Sequence, residues 1–115
     1  MKDFDLYQAL ALRTASAEST ATQMTLLDAA ALGLSGEAGE IADHVKKILY
    51  HGHPLDDTTR DEIAKEIGDI LWYCALGAKG IDMSLAEIAV MNVDKLRRRY
   101  PEGFSSERSI NRPSE

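Results

Sequence analysis

The chain has 115 residues, enough for one domain, and its 44% hydrophobic and 28% charged residues are ordinary values for a globular protein. Its formal net charge of −6 excludes the broad basic surface that sequence-independent binding to a nucleic acid polymer requires. Aromatic residues make up only 6%, so the core must be aliphatic, and we expect a partner subunit to complete it.

No segment of the sequence predicts export or membrane insertion. Residues 1–5 lack the charged-then-apolar pattern of a signal peptide. No apolar run approaches the roughly 20 residues that span a bilayer. The single cysteine, Cys74, lies in an apolar run and is interpreted as a core residue. We therefore expect a cytoplasmic protein without membrane association.

Glycine and proline residues divide the sequence into four predicted helices. The first is predicted over about residues 3–17, and a loose polar stretch follows it. The second is predicted over about residues 25–50 and stops at His51-Gly52, with Pro54 beyond. The sequence shows no strand-like alternation and no internal repeat.

The third and fourth predicted helices each open with a capping box. The third runs from the box at residues 59–62 to Gly80, and the fourth from the box at residues 84–87 to Tyr100. Residues 105–115 are polar and carry no periodicity, which predicts a mobile C-terminal tail.

The second and third predicted helices each carry two acidic residues on one face. Glu37 and Glu40 are spaced i, i+3 on the second helix, and Glu66 and Asp69 repeat that spacing on the third. At about 100° per residue, each pair borders the apolar stripe of its helix. If the two stripes pack together, the four carboxylates converge at the edge of the shared core.

Converging carboxylates repel one another strongly at low dielectric, and too few cations lie beside them in the sequence to neutralise them. A divalent metal ion resolves the repulsion, and an all-oxygen ligand set selects a hard cation such as Mg²⁺. Nearby glycines, each costing up to about 1 kcal/mol in a helix, favour this interpretation. They are Gly33, Gly36, Gly39 and Gly68, of which Gly33 falls on the carboxylate face. On spacing alone, two solvated acidic faces explain the pattern equally well.

Polar residues on the fourth predicted helix lie on its core-facing side. Asn92, Lys95 and Arg99 fall within roughly 60° of one another. They either contact phosphate and sugar, with Arg99 offering a forked donor set, or snorkel from the core to solvent. Lys47, on the Glu40 face, is likewise either a phosphate contact or a solvated lysine.

Three blocks of the sequence resemble the MazG-like nucleoside triphosphate pyrophosphohydrolases, which belong to an all-α pyrophosphatase superfamily with dimeric dUTPases and phosphoribosyl-ATP pyrophosphohydrolase. The resemblance covers about residues 25–104, and the blocks occur in the family's order with its gaps. They are GLSGEAGE at 33–40, EIGDILWY at 66–73 and NVDKLRRRYPEGF at 92–104.

The resemblance implies an all-α fold in which residues 1–104 form one MazG-like four-helix bundle, completed by assembly into homodimers or homotetramers. The family's ExxE and ExxD motifs hold Mg²⁺, for which Mn²⁺ can substitute. These motifs carry over to Glu37, Glu40, Glu66 and Asp69. Larger members often have a glutamate before each motif's first acid, where this chain has Gly36 and Lys65, so Glu62 is the remaining candidate for an additional acid.

The implied reaction is attack of water on the α-phosphorus of a (deoxy)nucleoside triphosphate, which releases the monophosphate and pyrophosphate, a housecleaning role in the nucleotide pool. Glu37 or Glu40 would orient the water as a base. The substrate-binding candidates are Lys47, Asn92, Lys95 and Arg99. Two alternatives stay open: a relative with another nucleotide substrate, such as a dUTPase, and a catalytically silent helical module for oligomerisation.

Aromatic and histidine residues leave further questions open. Trp72 and Tyr73 could stack on a nucleobase, although core packing explains Trp72 at least as well. The three histidines contain no i, i+4 pair, so a zinc site is not predicted. The sequence does not indicate which base is preferred.

Overall fold

A computed structural model describes residues 3–112 and confirms the all-α class. Within these residues the chain forms two long helices and three shorter ones. They are α1 (Phe4–Leu12), α2 (Gln23–Tyr50), α3 (Asp57–Gly80), α4 (Leu85–Arg99) and α5 (Ser106–Ile110). The long helices α2 and α3 form an antiparallel hairpin, and α1 and α4 pack mainly against each other and α3. None of these helices combines the length and apolar character that a membrane crossing requires.

Side-chain caps define where the helices begin. Ser84 caps α4 as predicted, because its hydroxyl accepts the Glu87 amide at 3.1 Å. Helix α3 begins at Asp57, two residues before the predicted capping box, because Asp56 is the N-cap and its carboxylate accepts the Thr59 amide at 3.0 Å. The predicted end at Gly80 is confirmed.

The first helix is shorter than predicted, because it ends at Leu12 and not near residue 17. Beyond it, the Thr14 hydroxyl donates to the Ala11 carbonyl at 2.7 Å, and the Ser16 hydroxyl accepts the Ser19 amide at 3.1 Å. Hydroxyl side chains that bind nearby backbone groups compete with helix continuation, which explains the early end.

Residues 106–110, which lie in the predicted C-terminal tail, form the short helix α5. The Ser105 hydroxyl accepts the Arg108 amide at 3.1 Å and caps this helix. The Arg108 guanidinium in turn donates to the carbonyls of Arg98 and Arg99 at the end of α4. Carbonyls at a helix end lack helical partners, and Arg108 satisfies two of them. Residues 113–115 lie outside the described part of the chain.

The core lies at one end of the α2–α3 hairpin. Its side chains are small, and Trp72 contacts both of the two clusters that they form. The Trp72 ring nitrogen donates to the Ala11 carbonyl at 3.1 Å and the Thr14 hydroxyl at 2.8 Å, which joins α3 to the end of α1. The buried apolar residues are Ala11, Leu26, Ala30, Ala75, Leu76, Ala78 and Leu85.

A single chain leaves much apolar surface exposed. Its accessible area is 8164 Å², whereas about 6,200 Å² is expected for a compact monomer of this mass. Its radius of gyration is 17.1 Å, against about 13 Å for a compact domain of this length. Exposed apolar residues include Leu49, Tyr50, Val90, Met91 and Phe104.

Contacts along the α2–α3 hairpin define its register. A Cβ on Gly80 would meet Leu27 at 2.9 Å, and one on Gly77 would meet the Ala30 methyl at 3.2 Å. Further along, the ring of Tyr73 occupies the space over Gly33. Near the loop that joins the two helices, His44 Nδ1 lies 3.7 Å from Glu62 Oε2. From one contact to the next, the residue number increases along α2 by the amount that it decreases along α3, to within one residue. One continuous register therefore relates the two helices.

Candidate metal centre

The hairpin register brings acidic residues of α2 and α3 together one helical turn beyond the Gly33–Tyr73 contact. Glu37 follows Gly33 by four residues, and Asp69 precedes Tyr73 by four. Glu37, Glu66 and Asp69 each offer one carboxylate oxygen within 4.8 Å of the other two. We call these three residues the carboxylate cluster. Three of the four acids predicted from the sequence therefore converge.

Glu37 is the most perturbed member of the carboxylate cluster. Its Oε2 atom is shielded from solvent and has no hydrogen-bond partner. A hydrogen bond shared with Glu66 raises the pKa of Glu37 to about 7, with further contributions from burial and from the negative charges of Glu66, Asp69 and Glu40. Without a cation, the cluster therefore relieves its repulsion by retaining a proton.

The carboxylate cluster fits a hard divalent cation. Its donors are all carboxylate oxygens, the ligand type that Mg²⁺ and Mn²⁺ prefer, and the unpartnered oxygen of Glu37 has a lone pair to offer. Oxygens bound to one octahedral Mg²⁺ ion at about 2.1 Å lie about 3.0 Å apart, or about 4.2 Å where two are opposite. The three oxygens, now within 4.8 Å of one another, would therefore move closer together when an ion binds.

The fourth predicted acid, Glu40, is exposed and lies outside the carboxylate cluster. Its charge nevertheless contributes to raising the pKa of both Glu37 and Lys47, so it lies near the cluster. The spacing predicts that all four acids converge, whereas in the structure three of them converge and Glu40 does not.

Lys47, a predicted phosphate contact, pairs with a residue that the sequence interpretation did not consider. Its Nζ atom lies 2.9 Å from Asp43 Oδ2, and Lys46 Nζ lies 3.3 Å from Asp43 Oδ1. The hydrogen bond between Lys47 and Asp43 raises the pKa of Lys47. The hydrogen bonds from Lys47 and Lys46 together lower the pKa of Asp43. The i, i+4 spacing of Asp43 and Lys47 was the available signal.

Two of the three predicted substrate contacts on α4 line a surface groove. Asn92 and Lys95 line a groove of about 560 Å³, together with Arg98, and no member of the carboxylate cluster lines it. Apolar residues, among them Ile88 and Met91, form other parts of its walls. Arg99 does not line this groove; it is partly buried at the end of α4. The groove and the carboxylate cluster thus have no lining residue in common.

Aromatic residues around the carboxylate cluster serve packing. Trp72 packs against the core, and the ring of Tyr73 fills the space that the missing side chain of Gly33 leaves. Tyr7 was missed: its hydroxyl lies 3.5 Å from the Gly68 carbonyl. Burial, Cys74 and then Asp69 raise the pKa of Tyr7, so its phenol borders the acidic site.

Comparisons with known proteins identify a family that includes this chain. The model of the MazG nucleotide pyrophosphohydrolase domain matches residues 26–104, which include both acidic motifs. Gene 37 protein of Mycobacterium phage L5 is 41% identical over 73 residues, which make up 63% of this chain and 64% of that relative. The chain thus spans slightly less than two thirds of the relative's length. No solved structure matches the chain significantly.

Proposed function

The chain belongs to the MazG nucleotide pyrophosphohydrolase domain family, and on this premise we propose that it is a Mg²⁺-dependent enzyme that hydrolyses a (deoxy)nucleoside triphosphate to the monophosphate and pyrophosphate. The observation that carries the proposal is the carboxylate cluster. Glu37, Glu66 and Asp69 come from the two acidic motifs and converge to within 4.8 Å. A solvated acidic face would not need to leave a carboxylate oxygen shielded and unpartnered, as Glu37 Oε2 is.

In this proposal the carboxylate cluster holds the cation, with Mn²⁺ as a substitute. When bound, the ion offsets negative charge on the phosphate oxygens and lowers the pKa of a bound water. Glu40 is the better candidate for the base, because it lies near the cluster without belonging to it. Its carboxylate accepts the proton of the water whose oxygen bonds to the α-phosphorus, while the bond from that phosphorus to the pyrophosphate leaving group breaks.

Substrate contacts in this proposal come from Lys47, Asn92, Lys95 and Arg99. Lys47 must exchange its contact with Asp43 for a phosphate oxygen. Asn92 and Lys95 line the α4 groove, which lacks cluster carboxylates, so they meet the phosphates most directly if α4 of a neighbouring subunit approaches the cluster. A Lys or Arg contact to phosphate is charge-assisted and therefore among the stronger hydrogen bonds.

A homodimer or homotetramer would account for the exposed apolar surface. Each chain exposes about 2,000 Å² more than a compact monomer of its mass. Two chains that cover this excess bury about 4,000 Å², which lies within the range of obligate interfaces. Assembly would thus complete the core that the small buried residues leave thin.

The experiment that tests the proposal is a pyrophosphate-release assay of the purified chain with Mg²⁺ across canonical and modified nucleoside triphosphates. Turnover of one or more of them supports the proposal, and the profile identifies the preferred base. Turnover of dUTP alone would indicate the dUTPase-like alternative. Absence of turnover across the panel would contradict the proposal and favour a silent oligomerisation module.

A further inference from the structure

We propose that Gly33 and Tyr73 act as a positioning pair that sets the α2–α3 register at the carboxylate cluster, although neither belongs to the cluster. Its catalytic consequence rests on the function proposed above. The observation behind it is the seat of the Tyr73 ring over the Gly33 backbone, where a Cβ on Gly33 would overlap ring atoms Cδ1, Cε1 and Cζ.

This contact lies close enough to the carboxylate cluster to determine how the cluster's carboxylates are placed. Glu37 and Asp69 lie four residues from Gly33 and Tyr73, respectively, which is about 6 Å along each helix. The contact is the last of the close glycine packings before the acidic residues, after those at Gly80 and Gly77. Any sliding or separation of the helices at Gly33 therefore reaches the carboxylates almost undiminished.

Gly33 is closely packed, whereas three other glycines of the motif regions are not. Added Cβ atoms at Gly36, Gly39 and Gly68 would meet no atom within 4 Å. Packing therefore explains the glycine at position 33 and not those at the other three. Since glycine costs about 1 kcal/mol relative to alanine inside a helix, alanine at Gly33 would be favoured if the ring of Tyr73 were not there.

The ring of Tyr73 cannot move away from Gly33 easily, because it is also in contact with Trp72. It packs edge-on against Trp72, with ring centroids 5.0 Å apart and an interplanar angle of 86°. Trp72 is itself fixed by hydrogen bonds to Ala11, in the last turn of α1, and to Thr14, just beyond it. A chain of contacts thus runs from the end of α1 through both rings to the backbone of α2, and it transmits the packing of the core to the cluster.

The test compares Gly33→Ala with Gly39→Ala, a matched control with the same gain in helix propensity and open space around its new methyl. Mn²⁺ affinity, measured by electron paramagnetic resonance, is the main readout, with circular dichroism to verify helicity. Gly33→Ala should weaken Mn²⁺ binding at least tenfold, and Gly39→Ala by less than about twofold. Equal affinities of the two variants would overturn the proposal.

A second pair of variants decides the matter if Gly33→Ala does not fold. Tyr73→Phe keeps the ring that contacts Gly33 and should retain wild-type Mn²⁺ affinity, whereas Tyr73→Leu removes it and should lose affinity at least tenfold. Wild-type affinity in Tyr73→Leu would overturn the positioning role. A loss in Tyr73→Phe equal to that in Tyr73→Leu would also overturn it, because the hydroxyl and not the ring would then be responsible.

A metal-free readout separates failure of this inference from failure of the proposed function. His44→Cys and Glu62→Cys, in a Cys74→Ser background, replace a pair that lies in contact across the hairpin. A short bifunctional maleimide should link them readily with Gly39→Ala and several-fold more slowly with Gly33→Ala. If the wild-type chain neither binds Mn²⁺ nor hydrolyses a nucleotide, the proposed function fails, and the cross-linking rates still decide the positioning role.

Discussion

Glu37 and Asp69 face each other across the α2–α3 hairpin with carboxylate oxygens within 4.8 Å, and Glu37 Oε2 has no hydrogen-bond partner. How closely the carboxylates of two such helices approach depends on the register between the helices. The Tyr73 ring seated over Gly33 maintains that register one turn away. The same packing that closes the hairpin therefore assembles the candidate metal centre.

Neutralising Asp69 should weaken Mn²⁺ binding more than neutralising Glu40 does. Asp69→Asn removes an anionic ligand from the carboxylate cluster. We expect turnover to fall by more than about a hundredfold, because a bound ion stabilises the charge of the transition state by several kcal/mol. Both variants should stop turnover, but Glu40→Gln should keep Mn²⁺ affinity within about tenfold, as expected for an acid beside the ligands. Circular dichroism controls for folding. Full activity in both variants would remove these acids from the site.

The stability of the metal-free protein should depend on pH through Glu37. Its pKa is raised from 4.5 to about 7 in the folded state, so its contribution to stability is complete below pH 4.5 and is lost as the pH rises through about 7. Glu37→Gln removes this loss. The Tm of the variant minus that of the wild type, both in chelator, should therefore increase over this range. A difference that stays constant or decreases would contradict the shared proton in the cluster.

The chain should assemble into at least a homodimer. The reason is the excess exposed area of about 2,000 Å² per chain together with a core of mostly small residues. Multi-angle light scattering at assay concentrations should give at least twice the chain mass of 12.6 kDa. A mass of one chain under those conditions would contradict the expectation, and the α4 groove would then need another explanation.

The basic residues of α4 should matter for catalysis more than for stability. Lys95→Ala or Arg99→Ala should lower kcat/KM roughly tenfold to over a hundredfold, the loss of a charge-assisted phosphate contact of about 1.5–3 kcal/mol. Arg97→Ala is a matched control, because Arg97 is exposed and pairs with Asp94 at 3.9 Å on the same helix. A lowered Tm with unchanged kcat/KM in the Lys95 and Arg99 variants would support snorkelling and exclude both residues from the site.

Helical periodicity explains why the acidic site could be predicted from the sequence. The i, i+3 spacing fixes which acids share a face, and the angle to the apolar stripe predicts that both faces meet. Periodicity does not define the register between two helices, which depends on tertiary contacts such as Tyr73 over Gly33. For that reason the separation of Glu40 from the other three acids, and the occupant of the space at Gly33, were not predictable.

The departures from the predicted helices at α1 and in the C-terminal segment have a common physical origin. Local side-chain hydrogen bonds of Thr14 and Ser16 compete with the helix, and those of Ser105 and Arg108 create one. Composition indicates only that such segments are polar. Whether a polar segment is ordered depends on whether it finds backbone partners, and Arg108 finds its partners ten residues earlier, at Arg98.

The most direct test of the central claim is a product analysis of nucleoside triphosphate hydrolysis by the wild-type chain and Glu66→Gln, with Mg²⁺ or with chelator. Ion-exchange chromatography should show equal amounts of monophosphate and pyrophosphate from the wild type with Mg²⁺, and neither from the variant or in chelator. Diphosphate with orthophosphate, or turnover that persists in Glu66→Gln or without the metal, would contradict a pyrophosphohydrolase centred on the carboxylate cluster.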